Sequence, residues 1–298
     1  MRIVYLGTSQ FAAVVLRRLA ESAHRPVLVV TRPDRPRGRG RKLAAPPVAD
    51  AARELGIALE QPASVNDEAV LRTIAAARPE AVCVCAFGAL ITEPLLSAFE
   101  MLNVHPSLLP RWRGAAPVER AIMAGDEQTG VSIMRVTAGL DSGPVCAQAT
   151  EPIHPDDTYG TLAARLEVIG ADLLVATLDR LPPCAEQDEA GATYAAKIEP
   201  SDRELDPSRP AVELERVVRA LTPHIGAYVV LPDGSRLGVS AARVLGDADP
   251  PTPSVGVVSF AGPRPVLGCA EGALELLMVQ PPGRRPMSAE DYLRGRRS

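Results

Sequence analysis

The sequence predicts an α/β domain followed by a small antiparallel β domain. Up to residue 183, short apolar runs of strand length alternate with segments of helical periodicity, which is typical of a mostly parallel sheet with helices on both faces. From residue 209, one helical segment leads into short strands broken by glycine and proline, which indicate a small barrel or sandwich. With 298 residues, 46% of them hydrophobic, the chain is long enough to form two cores.

Most of the predicted regular elements lie in the first domain. Strands are predicted at 2–7, 26–31, 57–62, 81–88 and 101–106, and a hairpin at 129–137 and 144–153. Helices are predicted at 11–22, between Pro47 and Gly56, and at 68–77, 116–126 and 159–181. The predicted division is 1–183 for the first domain, 184–208 for a polar linker and 209–298 for the second domain.

Composition limits the classes of protein that the chain can belong to. No apolar run reaches the roughly 18 residues of a membrane span. The N-terminus resembles a strand rather than a targeting segment, so we predict a cytoplasmic protein. Five cysteines without C-x-x-C spacing predict reduced, mostly buried thiols. No supporting constellation of chemical groups accompanies His24, His154 or His224, and we interpret these three as surface or capping residues.

Positive charge is concentrated in one short segment. The net charge of the chain is −4, yet residues 32–42, RPDRPRGRGRK, carry five arginines and one lysine against one aspartate. Residues 209–298 also carry 11 arginines against 9 acidic residues. Arginines on a glycine-containing segment suit phosphate binding, although a solvated charged loop is the alternative interpretation.

The stretch NVHPSLLPRWRG, residues 103–114, carries the strongest indication of chemistry. Asn103 and His105 are two residues apart at the carboxyl end of a predicted strand, so their side chains lie on the same side. Two N–H donors at one point can stabilise an oxyanion in acyl transfer, whereas the alternative is a capped strand end with a hydrogen-bonded histidine. Asp141, in AGLDSGPV, could orient the histidine, because Gly139 and Gly143 allow its loop to approach another segment closely.

The turn after the first predicted strand, LGTSQFA at residues 6–12, lies where a dinucleotide-binding fingerprint would lie. It contains one glycine and lacks the G-x-G-x-x-G pattern. A nucleotide-dependent oxidoreductase is therefore disfavoured.

These motifs together resemble the folate-dependent formyltransferases. The resemblance rests on N-x-H-x-S-L-L-P, the later L-D-x-G, GTSQFA at the first turn, the basic loop TRPDRPRGRGRKL and the late PPGRRPMSAEDYL. It spans nearly the whole chain, and the basic loop and second domain point to the member of the family that modifies methionyl initiator tRNA. The resemblance implies a Rossmann-like, mostly parallel sheet domain followed by a small OB-like β-barrel domain.

The resemblance also implies the substrates and the roles of individual residues. The donor would be 10-formyltetrahydrofolate and the acceptor the α-amine of methionyl initiator tRNA, with no metal and with the protein acting as a monomer. The catalytic residues would be Asn103, His105 and Asp141. The residues implied to contact folate are Ser107, Leu108, Leu109, Pro110, Phe87 and Gly88, and those implied to contact tRNA are Arg35, Arg37, Arg39, Arg41 and Lys42.

Two departures from the family pattern and two rival functions stay open. His224 replaces a frequent aromatic, and Pro106 stands where small residues are common. One rival is a formyltransferase that acts on a small amine such as a sugar nucleotide, which would need neither the basic loop nor the second domain. The other is a noncatalytic tRNA-binding protein, which would not need the three polar residues together.

Overall fold

The computed structural model describes residues 1–37, 42–246 and 252–297. The strands are β1 Ile3–Gly7, β2 Pro26–Val30, β3 Arg35–Arg37, β4 Lys42–Ala44, β5 Ala58–Glu60, β6 Ala81–Cys85, β7 Met101–His105, β8 Arg113–Gly114, β9 Gln128–Arg135, β10 Val145–Pro152, β11 Tyr194–Ala195, β12 Ala227–Val230, β13 Arg236–Val244, β14 Val258–Ser259, β15 Val266–Gly268, β16 Ala273–Gln280 and β17 Met287–Ser288. The helices are α1 Gln10–Ala20, α2 Pro47–Glu54, α3 Glu68–Ala76, α4 Leu95–Ala98, α5 Pro117–Ala124, α6 Tyr159–Arg180, α7 Ala211–Leu221 and α8 Ala289–Arg297, with 3₁₀ turns at Glu189–Gly191 and Pro200–Arg203.

A seven-stranded sheet forms the centre of the first compact unit, in the order β10-β9-β7-β6-β1-β2-β5. The five strands from β7 to β5 run parallel, while β9 is antiparallel to β7 and β10 is antiparallel to β9. Every residue of β1 and β6 is buried, as expected for central strands covered on both faces. Because the parallel strands end at one edge of the sheet, His105 at the end of β7 lies at the edge where such folds bind ligands.

Helix α1 shows how the local sequence builds this unit. Its N-cap is Ser9, whose Oγ accepts a hydrogen bond from the amide of Ala12 at 3.2 Å. Its buried face, which includes Val15, Leu16 and Leu19, repeats at helical spacing. The helix therefore begins and packs as the sequence pattern predicts.

The second compact unit contains an antiparallel sheet in the order β12-β13-β16-β15-β14, with β17 paired to β16. Helix α7 contributes Leu214, Val218 and Leu221 to a core that also contains Leu274 and Leu276 of β16. The fold class predicted from the sequence, a mostly parallel sheet domain followed by a small β domain, is confirmed.

The two units are not continuous in sequence. The first comprises 1–114, 128–152 and 163–194, and the second comprises 115–127, 153–162 and 195–298. The division at residues 183 and 208 stays a prediction, and the segment between these two positions is shared by the units. Within that segment Ala195 and Leu205 are buried, so part of it contributes to packing.

The prediction of five reduced cysteines is wrong for Cys146 and Cys184, which form a disulfide across a sequence separation of 38 residues. Their neighbours Val145 and Ala185 exchange two backbone hydrogen bonds of 2.8 Å, which bring the two segments together. The other three cysteines are free and buried. Burial raises the pKa of Cys83 and of Cys85 to about 12, so neither thiol serves as a nucleophile near neutral pH.

The interpretation of His24 as a surface or capping residue is also wrong. The residue is 5% exposed, its Nε2 lies 2.8 Å from Oδ1 of Asp179, and its Nδ1 lies 3.0 Å from the amino group of Met1. His224 stacks on the ring of Tyr159 and lies 2.9 Å from Oε1 of Glu119. Sequence patterns miss such partners because they are distant along the chain.

Candidate active site

Asn103 and His105 occupy alternate positions near the end of β7, so both side chains project from the same face of the strand. His105 is 4% exposed, whereas Asn103 is partly exposed. Within the described ranges, no residue forms a hydrogen bond with the Asn103 side chain. Its amide is therefore available to a ligand.

The hydrogen bonds of His105 determine which ring nitrogen can face a ligand. Its Nε2 lies 2.9 Å from the carbonyl oxygen of Trp112, and a carbonyl only accepts, so Nε2 carries the hydrogen. Trp112 has a φ of 64°, in the left-handed region. The other nitrogen, Nδ1, lies 3.6 Å from Oδ2 of Asp141. Only Nδ1 remains for contact with a ligand.

Asp141 lies in the turn between β9 and β10 and has a φ of 44°. Its Oδ2 accepts a hydrogen bond from the amide of Gly114 at 2.9 Å. The close approach expected from the neighbouring glycines is confirmed at Gly143, where a Cβ would lie 2.0 Å from the carbonyl oxygen of Arg135. The structure thus brings Asp141 beside His105, while the catalytic roles of the three residues stay a prediction.

The residues after His105 form an apolar wall, and polar groups behind it hold its shape. Ser107 is fully buried and donates its hydroxyl to the carbonyl of Arg111 at 2.7 Å. The hydroxyl of Ser132 donates to the carbonyl of Ser107 at 2.6 Å and accepts from the amide of Leu109 at 3.1 Å. Ser107 and Leu109 are thus fixed to β9 by Ser132, which sequence reasoning missed.

Gln148 and Gly130 complete this support. The Gln148 side-chain amide donates to the carbonyl of Leu109 and to the Ser132 hydroxyl, both at 2.9 Å. A Cβ on Gly130 would lie 2.6 Å from Cδ2 of Leu108, so Leu108 packs closely over this glycine. Leu108 and Pro110 are partly exposed and are the wall residues best placed to contact a ligand.

Phe87 and Gly88 follow β6 at the same edge of the sheet. Phe87 is 5% exposed and packs in the core of the first unit. The Thr8 hydroxyl donates to the carbonyl of Phe87 at 2.7 Å, and the guanidinium of Arg32 donates to the carbonyl of Gly88. Gly88 itself is exposed, with a φ of 69°. The turn is therefore held from both sides, and its contact with a cofactor stays a prediction.

Part of the basic segment forms a hairpin that the sequence did not predict. Arg35 pairs with Ala44 and Arg37 with Lys42 in β3 and β4, and the side chains of Arg35 and Lys42 are exposed. The side-chain amide of Gln61 donates to Oδ1 of Asp34 at 2.7 Å and so holds the start of the segment. Arg39 and Arg41 lie outside the described residues.

The described ranges contain neither a candidate metal site nor a candidate membrane-spanning helix. No group of three or more histidine, cysteine, aspartate or glutamate residues there is arranged to hold a metal ion. None of the helices in those ranges combines the length and apolar composition that a bilayer crossing requires.

Two protein-family models match the chain. Residues 1–178 match the formyl transferase model, and residues 197–297 match the model of the formyl transferase C-terminal domain. The chain belongs to the formyl transferase family. This formyl transferase therefore matches both the formyl transferase model and the C-terminal domain model of its family.

Curated relatives match the formyl transferase over nearly its whole length. The methionyl-tRNA formyltransferase of Halorhodospira halophila is 45% identical over 303 residues, covering 99% of this chain and 96% of that protein. The enzyme of the same name from Methylococcus capsulatus is 44% identical and covers 98% and 96%.

Solved structures share the fold at low sequence identity. An N-formyltransferase from Helicobacter canadensis, in complex with folinic acid and dTDP-3-aminofucose, superposes with a TM-score of 0.67 at 13% identity, covering 93% of this chain and 98% of that one. HypX from Aquifex aeolicus in complex with tetrahydrofolic acid gives a TM-score of 0.65 at 16% identity, covering 98% of this chain and 47% of that one.

Proposed function

We propose that this formyl transferase transfers the formyl group of 10-formyltetrahydrofolate to the α-amine of methionyl initiator tRNA. The product, N-formylmethionyl-tRNA, serves translation initiation in the cytoplasm, and the enzyme acts as a monomer. The observation that carries the chemistry is the His105–Asp141 pair beside the available amide of Asn103. The acceptor is supported by the near full-length match to relatives named methionyl-tRNA formyltransferase.

The geometry suits acyl transfer to an amine. Attack of the amine nitrogen on the formyl carbon forms a C–N bond and places negative charge on the formyl oxygen. The Asn103 amide and the Nδ1–H of His105 donate to that oxygen, because Nε2–H is already bonded to Trp112. The Asp141 carboxylate lies 3.6 Å from Nδ1 and helps to remove a proton from the attacking amine. The bond from the formyl carbon to N10 of the folate then breaks, and N10 takes up a proton.

The apolar wall would hold the folate beside these donors. Leu108 and Pro110 offer partly exposed apolar surface, while the buried Ser107, Leu109 and Phe87 support it from behind. A pterin ring packed on such a wall loses contact with water, which strengthens the nearby hydrogen bonds. Gly88 would border the folate as an exposed backbone position.

The test is formyl transfer from 10-formyltetrahydrofolate with three acceptors in parallel: methionyl initiator tRNA, free methionine and an amino sugar nucleotide. We expect product on the charged tRNA alone. Product on the sugar nucleotide would be consistent with the proposed oxyanion site, but it would contradict the proposal that tRNA carries the acceptor amine. Binding of tRNA without any formyl transfer would favour the noncatalytic alternative.

Gln148→Ala should weaken folate binding without slowing the chemical step. The substitution removes two hydrogen bonds that hold the wall, each worth about 1 kcal/mol, so the KM for 10-formyltetrahydrofolate should rise by up to roughly thirtyfold. Steady-state kinetics with saturating tRNA would show kcat within about twofold of the unsubstituted enzyme. Gln128→Ala, at an exposed position on the same hairpin, is the matched control. An unchanged KM would remove Gln148 from the support of the wall.

Replacing Arg39 and Arg41 together by glutamine should weaken tRNA binding while folate binding persists. If both contact phosphates, the slope of log Kd against log salt should fall by about 2. Filter binding or fluorescence anisotropy at several salt concentrations would measure this slope. The control is glutamine at Arg53 and Arg72, two exposed arginines of the first unit. An unchanged slope would favour a solvated loop.

A further inference from the structure

Gln187 lies directly against the turn that carries Asp141. Its side-chain Nε2 donates to the carbonyl of Asp141 at 2.9 Å and to the carbonyl of Gly143 at 2.7 Å. One amide group therefore spans the main chain on both sides of Ser142. It satisfies two carbonyl oxygens in a turn whose sharp path leaves them few other partners.

The other end of the Gln187 amide is held by a buried arginine. Its Oε1 accepts a hydrogen bond from Nε of Arg113 at 3.0 Å. Arg113 is 2% exposed, and its two terminal nitrogens lie 3.0 and 2.8 Å from the carboxylate oxygens of Glu189. The hydrogen bond from Arg113 lowers the pKa of Glu189, which keeps this partner charged. Because the guanidinium only donates and the two carbonyls only accept, the Gln187 amide can take one orientation.

The residue after Arg113 contacts the carboxylate of the same aspartate. The Gly114 amide donates to Oδ2 of Asp141 at 2.9 Å. Arg113–Gly114 and Gln187 thus hold Asp141 from two directions, one through its side chain and one through its main chain. Asp141 needs this restraint, because a φ of 44° is disfavoured for a residue with a side chain and persists only where the surroundings fix it.

We propose that Gln187 is a positioning residue for catalysis, which fixes the main chain of Asp141 so that its carboxylate remains beside Nδ1 of His105. This inference rests on the proposed function, since it assigns Gln187 a role through Asp141. A displacement of about 1 Å in a catalytic group can lower the rate by roughly a hundredfold, so the position of this turn matters for turnover.

The test uses two substitutions in the full-length enzyme. Gln187→Ala removes all three hydrogen bonds. Gln187→Glu keeps an acceptor for Arg113 and removes the donor to the two carbonyls, so it preserves the buried arginine's partner. The melting temperature of each variant shows whether its fold is intact. Both should lower kcat roughly tenfold to a hundredfold and leave the KM for 10-formyltetrahydrofolate within about twofold. Glu186→Gln, at the exposed neighbouring position, is the matched control and should leave turnover unchanged.

A double-mutant cycle with Asp141→Asn separates positioning from a merely structural role. If Gln187 acts through Asp141, then Gln187→Glu should lower kcat by less than about threefold once Asp141 is asparagine. Equal losses in both backgrounds, or a normal kcat in Gln187→Glu, would overturn the inference. A normal kcat in Asp141→Asn would overturn both the inference and the catalytic assignment, whereas absence of formyl transfer by the unsubstituted enzyme would overturn the proposed function.

Discussion

Asp141→Asn should lower kcat by about 10²–10⁴-fold, the range expected when a group that assists proton transfer is lost. The asparagine keeps the size of the aspartate and can still accept the hydrogen bond from the Gly114 amide through its side-chain oxygen. What it loses is the negative charge beside Nδ1 of His105 and the capacity to take up a proton. Rapid-quench measurement of a single turnover with charged tRNA would isolate this step from product release.

The control for this substitution is Asp156→Asn, an exposed aspartate far from Asp141 in sequence. Affinity for methionyl initiator tRNA, measured separately, should change by less than about twofold in Asp141→Asn, because we propose that arginines of the 32–42 segment bind the tRNA phosphates. A single-turnover rate close to that of the unsubstituted enzyme would remove Asp141 from the mechanism. The pair with His105 would then be structural.

Asn103→Ala should lower kcat by about 10²–10³-fold, which is the usual effect of removing one donor from an oxyanion site. The Asn103 amide has no hydrogen-bond partner among the residues that the structure describes, so its removal disturbs no visible internal contact. We therefore expect the loss to appear in turnover and not in thermal stability. Single-turnover kinetics and the melting temperature of the same preparation would test both statements.

Asn103→Asp sharpens this experiment because it keeps the shape of the side chain and replaces the N–H donor by an oxygen. The turnover of this variant should be at least as low as that of Asn103→Ala, since a carboxylate repels the developing charge on the formyl oxygen. If Asn103→Asp retained most of the activity, the donor role of Asn103 would be wrong. The alternative interpretation, in which Asn103 and His105 only cap the end of the strand, would then be favoured.

Local patterns were sufficient to predict the fold. Apolar runs such as that at 81–88 marked the buried parallel strands, and the helical spacing at 211–222 marked α7, because burial on both faces and burial on one face leave different periodicities. The strand-end position of His105 followed from the same reasoning. By contrast, the hairpin of β3 and β4 was missed, because arginine and glycine dominate its composition and no alternation of apolar residues marks it.

The support of the site was not predictable from local patterns. Gln187 lies 46 residues from Asp141 in sequence, and Gln148 lies 39 residues from Leu109, so no spacing rule connects either pair. Trp112 contributes a main-chain carbonyl, which any residue type supplies. The sequence therefore indicates the groups that can react, whereas the hydrogen bonds that orient them depend on the folded chain.

The extent of the first compact unit has a consequence for the exchange of domains between formyl transferases. This unit includes 163–194, whereas the family model of the catalytic domain ends at residue 178. A fusion junction placed between residues 178 and 184 would take Gln187 and Glu189 from one parent and Asp141 and Arg113 from the other. It would also separate Cys184 from its disulfide partner Cys146. Chimeric enzymes with a new C-terminal domain should therefore retain activity best when the parent of the first unit contributes the chain through Tyr194.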